Sequence, residues 1–499
     1  MKIFSAEQIR EIDKKTIEYE QISSLQLMKQ AAQAFYRWFV HRFPDKNKTI
    51  LIVCGTGNNG GDGLVIGRLL TKAGYNVQLW VVEYSEKYSE DCAHNIRRAK
   101  VENIAVKFIH QKNDVSNIAA YDIVIDALFG TGLSREIEGI AKEVISEINA
   151  TANHIVSVDI PSGLFMDKQT TFAVKANQTV TFQLPKLALY LPENYQFTGD
   201  VFIENIGLNK RAIAEAETDA FFMDKKEIKH RLKPLSKIAH KGTQGHALLV
   251  GGSLGKIGSV CLATKAALKA GCGLVTSLVP KCGTIPLQSH FPEAMIIEDE
   301  NDSHITAINA NFRQNAIGIG IGMGTYPETQ AAFHAFLKEN TTPLVIDADG
   351  LNILSQNPDW VNLLPEKTIL TPHPKELSRL IGAWCDDYDK INKAKVFAAN
   401  HDLIIVIKGA HTIIVDSDNL YVNSSGTPAL ATAGSGDVLT GIITGLLAQG
   451  YSPLNAACIG VYLHGLTADI TEQKIHPRSF IASDIIENIG NAYFELEKT

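Results

Sequence analysis

GTGNNGGDG, residues 55–63, follows directly on the apolar run TILIVC (49–54). Five of those nine residues are glycine, two are asparagine and one is aspartate. The run before the stretch reads as a buried strand. DGLVIGRLLTKAG (62–74) has helical periodicity and ends on a helix-stopping glycine, and NVQLWVVE (76–83) is the next strand. Strand, glycine-rich turn, helix and strand make one right-handed crossover of a parallel sheet. Glycines at 55, 57, 60, 61 and 63 let backbone amides approach a ligand. A helix beginning at about residue 62 aims its positive end at the same place. A lone G-x-G would read as a tight turn that binds nothing. The added asparagines and aspartate shift the reading to a binding site.

Two further strands run into glycine-containing loops, YDIVIDALFGTGL (121–133) and HIVSVDIPSGL (154–164). Ligands of open α/β sheets bind where strands end, so the three loops are expected on one edge. Asp126 and Asp159 close the two apolar runs. A single aspartate in such a place is usually a cap or turn former. Two at neighbouring strand ends beside an anion-friendly loop can bind a ribose hydroxyl, hold a cation or act as a general base.

The pattern restarts near residue 245. HALLVGGS (246–253) is a strand, SVCLATKAALKAG (259–271) a helix and GLVTSLVP (273–280) a strand. NAIGIGIGMGT (315–325), PLVIDADGLNIL (343–354), KTILTPHPKE (367–376) and LIIVIKGAHTIIVD (403–416) add strands with polar ends. A chain of 499 residues is too long for one core, and the charged stretch between the halves puts the boundary near 210–225. The expectation is two α/β domains that share an architecture but not motifs. A net charge of −7 offers no broad basic face for nucleic acid. The charged start, MKIFSAEQIREIDKK, is not a signal peptide, and no apolar run is long enough for a membrane span. Seven scattered cysteines without a C-x-x-C pair suit reduced thiols, hence a cytoplasmic protein.

The last glycine cluster is ALATAGSGDVLTG (429–441). Gly434, Ser435 and Gly436 open a buried helix and form an anion hole, and Asp437 stands directly behind them. Phosphate and carboxylate repel, so that aspartate either complements the helix dipole or removes a proton from a hydroxyl that attacks phosphorus. KGAHT (408–412) leaves a strand and can line a nucleotide. His373 sits between two prolines at a strand end, and Asp347 and Asp349 suit a water-bound magnesium ion.

GTGNNGGDG, VIDALFGTGL and VDIPSG, followed by TFQLPK (181–186), resemble the NAD(P)H-hydrate epimerase family over residues 1–215. That resemblance implies a Rossmann-like three-layer sandwich. It implies that Asn58, Asn59, Gly60, Gly61 and Asp62 hold the damaged cofactor. Gly130, Thr131, Gly132, Leu133, Ser134, Arg135 and Glu136 would contact it, as would Asp159, which is also expected to be catalytic. Asn59, Asp126 and Ser162 would bind K+. LMKQAA (27–32) departs from the family, with Lys29 and Ala32 standing for an acid and a glycine.

GGS, GIGIGMG, DADGLN, LTPHPKE, VIKGAHT and ALATAGSGDVLTG resemble the ADP/ATP-dependent NAD(P)H-hydrate dehydratases, a ribokinase-like fold, over residues 222–499. By that resemblance Ser259, Gly322, Gly324, His373 and Asp437 surround the hydrated nicotinamide. Lys408, Gly409, Ala410, His411, Thr412 and Gly436 would hold the nucleotide. Ile321 replaces a usual proline and Lys375 a usual glycine. The pair implies repair of hydrated NADH and NADPH. One domain interconverts the R and S forms, and the other dehydrates the S form at the expense of ADP, releasing AMP and phosphate, with Mg2+. A homo-oligomer, with a tetramer-based form as one arrangement, is implied; nucleic acid and membrane are not. The alternative is a ribokinase-like kinase of a small alcohol with a non-catalytic amino-terminal binding domain.

Overall fold

The computed structural model describes residues 1–310 and 312–498. It divides into two compact units, Lys2–Thr218 and Asp219–Thr499, with Met1 grouped in the second. The division falls inside the charged stretch.

In the first unit the sheet is built from β1 (Thr49–Cys54), β2 (Asn76–Val82), β3 (Val106–Ile109), β4 (Ile123–Ala127), β5 (Ile155–Val158), β6 (Gln178–Phe182) and β7 (Asp200–Glu204). Their spatial order is β3-β2-β1-β4-β5-β6-β7, and each neighbouring pair is parallel. The chain moves outward from β1 to β3 and then returns to β4 on the other side of β1. The crevice between β1 and β4 is therefore the switch point at which α/β sheets bind ligands. The helices α1 (Ala6–Glu20) and α2 (Ser24–Arg42) each begin in a capping box, Ser5 with Gln8 and Ser23 with Gln26. Of the two family departures there, Lys29 is exposed and Ala32 is buried in the core.

Helix α3 (Asn58–Lys72) starts at Asn58, not at about residue 62. The reason is that its glycines make room for the sheet. A Cβ at Gly60 would lie 2.0 Å from the Gly55 carbonyl oxygen, and one at Gly63 would lie 2.6 Å from Ala127 Cβ. At Gly67 it would meet Leu79 Cδ2 at 2.4 Å. The bare face lets α3 press onto β1, β2 and β4, and that closeness offsets the poor helix propensity of glycine. Residues 58–62 are thus the helix's first turn, with its free amides at the strand ends.

The second unit uses β8 (Ala220–Met223), β9 (His246–Val250), β10 (Leu274–Val279), β11 (Met295–Glu298), β12 (Ala316–Ile319), β13 (Leu344–Ile346), β14 (Ile369–Leu370), β15 (Ile404–Ile407), β16 (Ile413–Val415) and β17 (Leu420–Asn423). They run in the order β8-β17-β16-β15-β14-β13-β12-β9-β10-β11. Pairing is parallel except for β15–β16 and β16–β17, so LIIVIKGAHTIIVD is a hairpin with KGAHT in its turn. The switch point lies between β9 and β12. Helices α4 (Glu90–Val101) and α5 (Gly139–Thr151) belong to the first unit; in the second, α6 (Ile257–Lys269) packs against the almost wholly buried α7 (Ser435–Ala448). Gly441 and Gly445 allow it: a Cβ there would come within 2.2 Å of Ala263 O and 2.7 Å of Ala267 O.

Candidate functional site

A cleft of about 630 Å³ opens over the first switch point. Asn58, Asn59 and Asp62 of α3, the Gly130–Arg135 loop after β4 and Asp159 after β5 line it. Gly60 and Gly61 are not on its wall, since their missing side chains face the protein. Glu136 is not either; it lines a separate cavity of about 460 Å³ that shares Arg135.

Asp126 is fully buried under the cleft. Its Oδ2 accepts from Ser157 Oγ at 2.8 Å and from the Ser162 amide at 2.9 Å. Its Oδ1 accepts from Ser162 Oγ at 2.5 Å and from the Leu128 amide at 3.3 Å. Burial pushes the carboxyl up, and these donors oppose the shift. Ser162 Oγ also lies 3.3 Å from the Phe129 carbonyl, which Asn59 Nδ2 reaches at 2.9 Å. The sequence-predicted trio Asn59, Asp126 and Ser162 is therefore joined through one carbonyl. The set is oxygen-rich, as a hard cation requires, once the Asn59 amide turns its oxygen inward.

Asp159 has the left-handed φ of 67°. Its Oδ1 accepts from Lys186 Nζ at 2.7 Å, the Phe182 amide at 3.1 Å and Thr181 Oγ1 at 3.2 Å. Lys186 is 1% exposed and also donates to Thr181 Oγ1 at 2.6 Å. Two more aspartates face this pair. Burial, then the charges of Asp159 and Asp13, push Asp62 well up. Burial, then Asp159, raise Asp13 of α1 to about 7, against the pull of Lys186. Sequence reasoning missed both Lys186 and Asp13. Lys186 closes the quoted TFQLPK. Asp13 had a signal too: it sits one helical turn from Ile9 and Ile17, so an acid stands on an apolar face.

In the second unit Asp437 occupies the first turn of α7, behind Gly434 in the left-handed region (φ 84°). Burial, then Asp347, raise its carboxyl to about 6, while a hydrogen bond from Ser259 and the charge of Lys408 oppose. Lys408 Nζ donates to Asp347 Oδ1 at 2.7 Å and lies 3.9 Å from Glu376 Oε2. Thr440 Oγ1 donates to Asp347 Oδ2 at 2.7 Å. Asp347 so orients Lys408 through one oxygen and meets Thr440 through the other. A Cβ at Gly436 would stand 3.4 Å from Lys408 Nζ, and one at Gly322 would stand 3.1 Å from Ser259 Cβ. The structure so gathers Ser259, Gly322, Asp437, Gly436 and Lys408. Gly324 donates its amide to Asp349 Oδ2 at 2.9 Å.

His373 caps the helix Pro374–Ile381: its Nδ1 accepts from the Lys375 amide at 3.1 Å and the Glu376 amide at 3.3 Å. Nε2 therefore carries the proton and lies 3.3 Å from Glu376 Oε1. Its nitrogens are engaged, and the half-exposed ring has its face to offer. Gly409, Ala410, His411 and Thr412 form the hairpin turn, with Thr412 Oγ1 donating to Gly409 O at 3.1 Å. His464, also missed, is buried and its imidazole is lowered to about 4 by that burial. Neutral Nε2–H donates to Ser435 O at 3.0 Å and pins the start of α7.

Residues 24–188 match the family described as YjeF-related protein N-terminus, and residues 247–491 match NAD(P)H-hydrate dehydratase. The bifunctional NAD(P)H-hydrate repair enzyme Nnr of Moorella thermoacetica is 33% identical, over 100% of this chain and 98% of its own. Its counterpart in Coxiella burnetii is 32% identical over 98% of each chain. The chain belongs to the bifunctional NAD(P)H-hydrate repair enzymes. Among solved structures, a ribokinase-like superfamily protein from Enterococcus faecalis V583 aligns with 56% of this chain and 98% of its own at 23% identity and a TM-score of 0.50, which supports the fold of the second unit. A match that runs through both halves favours family membership over a small-alcohol kinase carrying a passive first domain. No helix among the described residues is long and apolar enough to cross a membrane.

Proposed function

We propose that the chain repairs hydrated NADH and NADPH, with epimerisation in residues 1–215 and dehydration of the S form in residues 222–499. The observation that carries it is the placing of Asp437, an aspartate raised to about 6, behind a helix N-terminus and beside Lys408.

Dehydration must expel a hydroxyl, which is a poor leaving group; phosphorylating it makes a good one. Asp437 would take the proton from that hydroxyl. The amides at Gly434–Gly436 would stabilise the moving phosphoryl group; phosphate would then leave carbon six with the bonding pair while carbon five loses a proton to solvent or to the departing phosphate, and that carbon–hydrogen pair restores the ring double bond. Lys408, oriented by Asp347, and the bare Gly436 would hold the donor's phosphates, with the 409–412 turn alongside. Magnesium, when bound, would neutralise phosphate charge, and Asp347 and Asp349 would hold it through water. We take ADP as the donor, giving AMP and phosphate. Ser259, Gly322, Gly324 and the ring face of His373 would bound the nicotinamide.

In the first unit Asn59, Asp126 and Ser162 would hold K+, whose charge fixes the substrate. The first turn of α3 and the Gly130–Glu136 loop would hold the dinucleotide. Seven unpaired cysteines support a reducing, cytoplasmic setting. The chain would act as a homo-oligomer, with a tetramer as one arrangement, and light scattering measures the assembly. The test of the whole reading is to give the protein separated R and S forms of hydrated NADH. The S form should need only nucleotide and Mg2+, and the R form should react through prior epimerisation. A stable phosphoester product in place of NADH and phosphate would overturn it.

A further inference from the structure

Of the carboxylates that line or underlie the cleft, Asp126 and Asp159 are tied down by donors, whereas Asp13 and Asp62 are not, and Asp62 belongs to the first turn of α3 that would hold the dinucleotide. Asp126 takes four donors, and Asp159 takes Lys186, Thr181 and the Phe182 amide. A carboxylate whose oxygens are held by several donors is less free to meet a substrate hydroxyl. Asp13 lines the same cleft, from α1, and makes no hydrogen bond or ion pair with any described residue. Ile9 and Ile17, one turn away on either side, form the apolar wall around it. The charged groups that face it are Asp159 and Lys186 from the sheet edge and Asp62 from α3, with Arg10 lining the cleft from its own helix.

We propose that Asp13 is the acid–base residue of epimerisation, exchanging a proton with the hydroxyl on carbon six of the hydrated nicotinamide. This rests on the reading of the first unit as the epimerase, and it moves the proton transfer expected at Asp159 to Asp13. Asp13 gives its proton to the hydroxyl as the carbon–oxygen bond breaks. The bonding pair leaves with oxygen as water, and the ring nitrogen's lone pair forms a double bond to carbon six. The Asp159 carboxylate, within electrostatic reach, stabilises the resulting cation. Water then adds to the opposite face, the double-bond pair returns to nitrogen, and the added water's surplus proton returns to Asp13. Atoms, electrons and protons are those of the starting state, with the configuration inverted. A group raised to about 7 is matched to giving and regaining a proton near neutrality.

The test uses the full chain, one separated epimer and chromatographic detection of the other, after subtraction of spontaneous interconversion. The wild type should be fastest while Asp13 is protonated and fall above about pH 7. Asp13→Asn should lose roughly 10²–10⁴-fold in kcat with KM little changed. Asp13→Glu, which keeps the acid, should recover part of it. In isotopically labelled water each turnover should place label on carbon six. Dehydration of the S form, in the other unit, should be unaffected in both variants. An Asp13→Asn variant within a few-fold of wild type, or turnover without label, overturns the proposal alone. A wild type that does not epimerise overturns the epimerase reading and this proposal with it.

Discussion

Asp437→Asn separates catalysis from stability, because the two should move in opposite directions. The carboxyl of Asp437 is raised to about 6 in the folded chain by burial and by Asp347. A raised folded value means that the fold favours the protonated form. Stability contributed by this group is therefore present below the ordinary aspartate range and is lost as pH rises through about 6. Each factor of ten in that proton equilibrium is worth about 1.4 kcal/mol. Ionising Asp437 at neutral pH thus costs the fold on the order of 2–3 kcal/mol at most, from a starting value of 3.8. Asparagine is the same size, is uncharged and keeps an oxygen for Ser259. The variant should melt at or above the wild-type temperature at about pH 8 and show little difference near pH 4, by the same linkage. Nucleotide-dependent recovery of NADH from the S form, at saturating substrate, should nevertheless fall roughly 10²–10⁴-fold. The wild-type rate should climb with pH through about 6 as the base ionises, and the variant's residual rate should lack that step. A variant that turns over within a few-fold of wild type refutes the catalytic role. One that slows only in proportion to a lower melting temperature refutes the electrostatic reasoning.

Asp126→Ala should abolish epimerisation while sparing dehydration of the S form; equal loss of both activities contradicts the assignment of the cation site to the first unit. Gly60→Ala should destabilise the first unit by at least about 1–3 kcal/mol, because its Cβ would stand 2.0 Å from the Gly55 carbonyl oxygen; an unchanged melting transition means that α3 does not sit so tightly. Limited proteolysis should cut within residues 210–225 and leave two stable fragments, and preferential cutting inside either glycine loop argues against two independently stable units.

The strand ends were legible because each apolar run stops at a polar or glycine residue, and parallel topology carries those ends to one edge. The meaning of the glycines was only half legible. GTGNNGGDG reads as space for a ligand, yet Gly60 and Gly63 face Gly55 and Ala127. Which way a missing side chain points depends on where the helix begins, and glycine hides that boundary by weakening the periodic signal. Asp126 and Asp437 were visible as polar residues at strand or helix ends, and Ser162 through the family resemblance of VDIPSG. Lys186 and His464 were not, since their partners Asp159 and Ser435 lie 27 and 29 positions away. Pairing at that range is set by sheet order and helix packing, which one sequence does not display. Asp347 is a further case: its strand-end position was visible, but Lys408 and Thr440, which meet its two oxygens, lie 61 and 93 positions away.

The most direct measurement is the extent of NADH recovery from a mixture of the R and S hydrates, given excess ADP and Mg2+. Two cooperating sites predict recovery of the whole mixture by the wild type. They predict that Asp126→Ala stops once the S form is consumed, leaving only the slow spontaneous tail. Formation of a stable phosphoester, or no nucleotide-dependent recovery of NADH at all, would contradict the account.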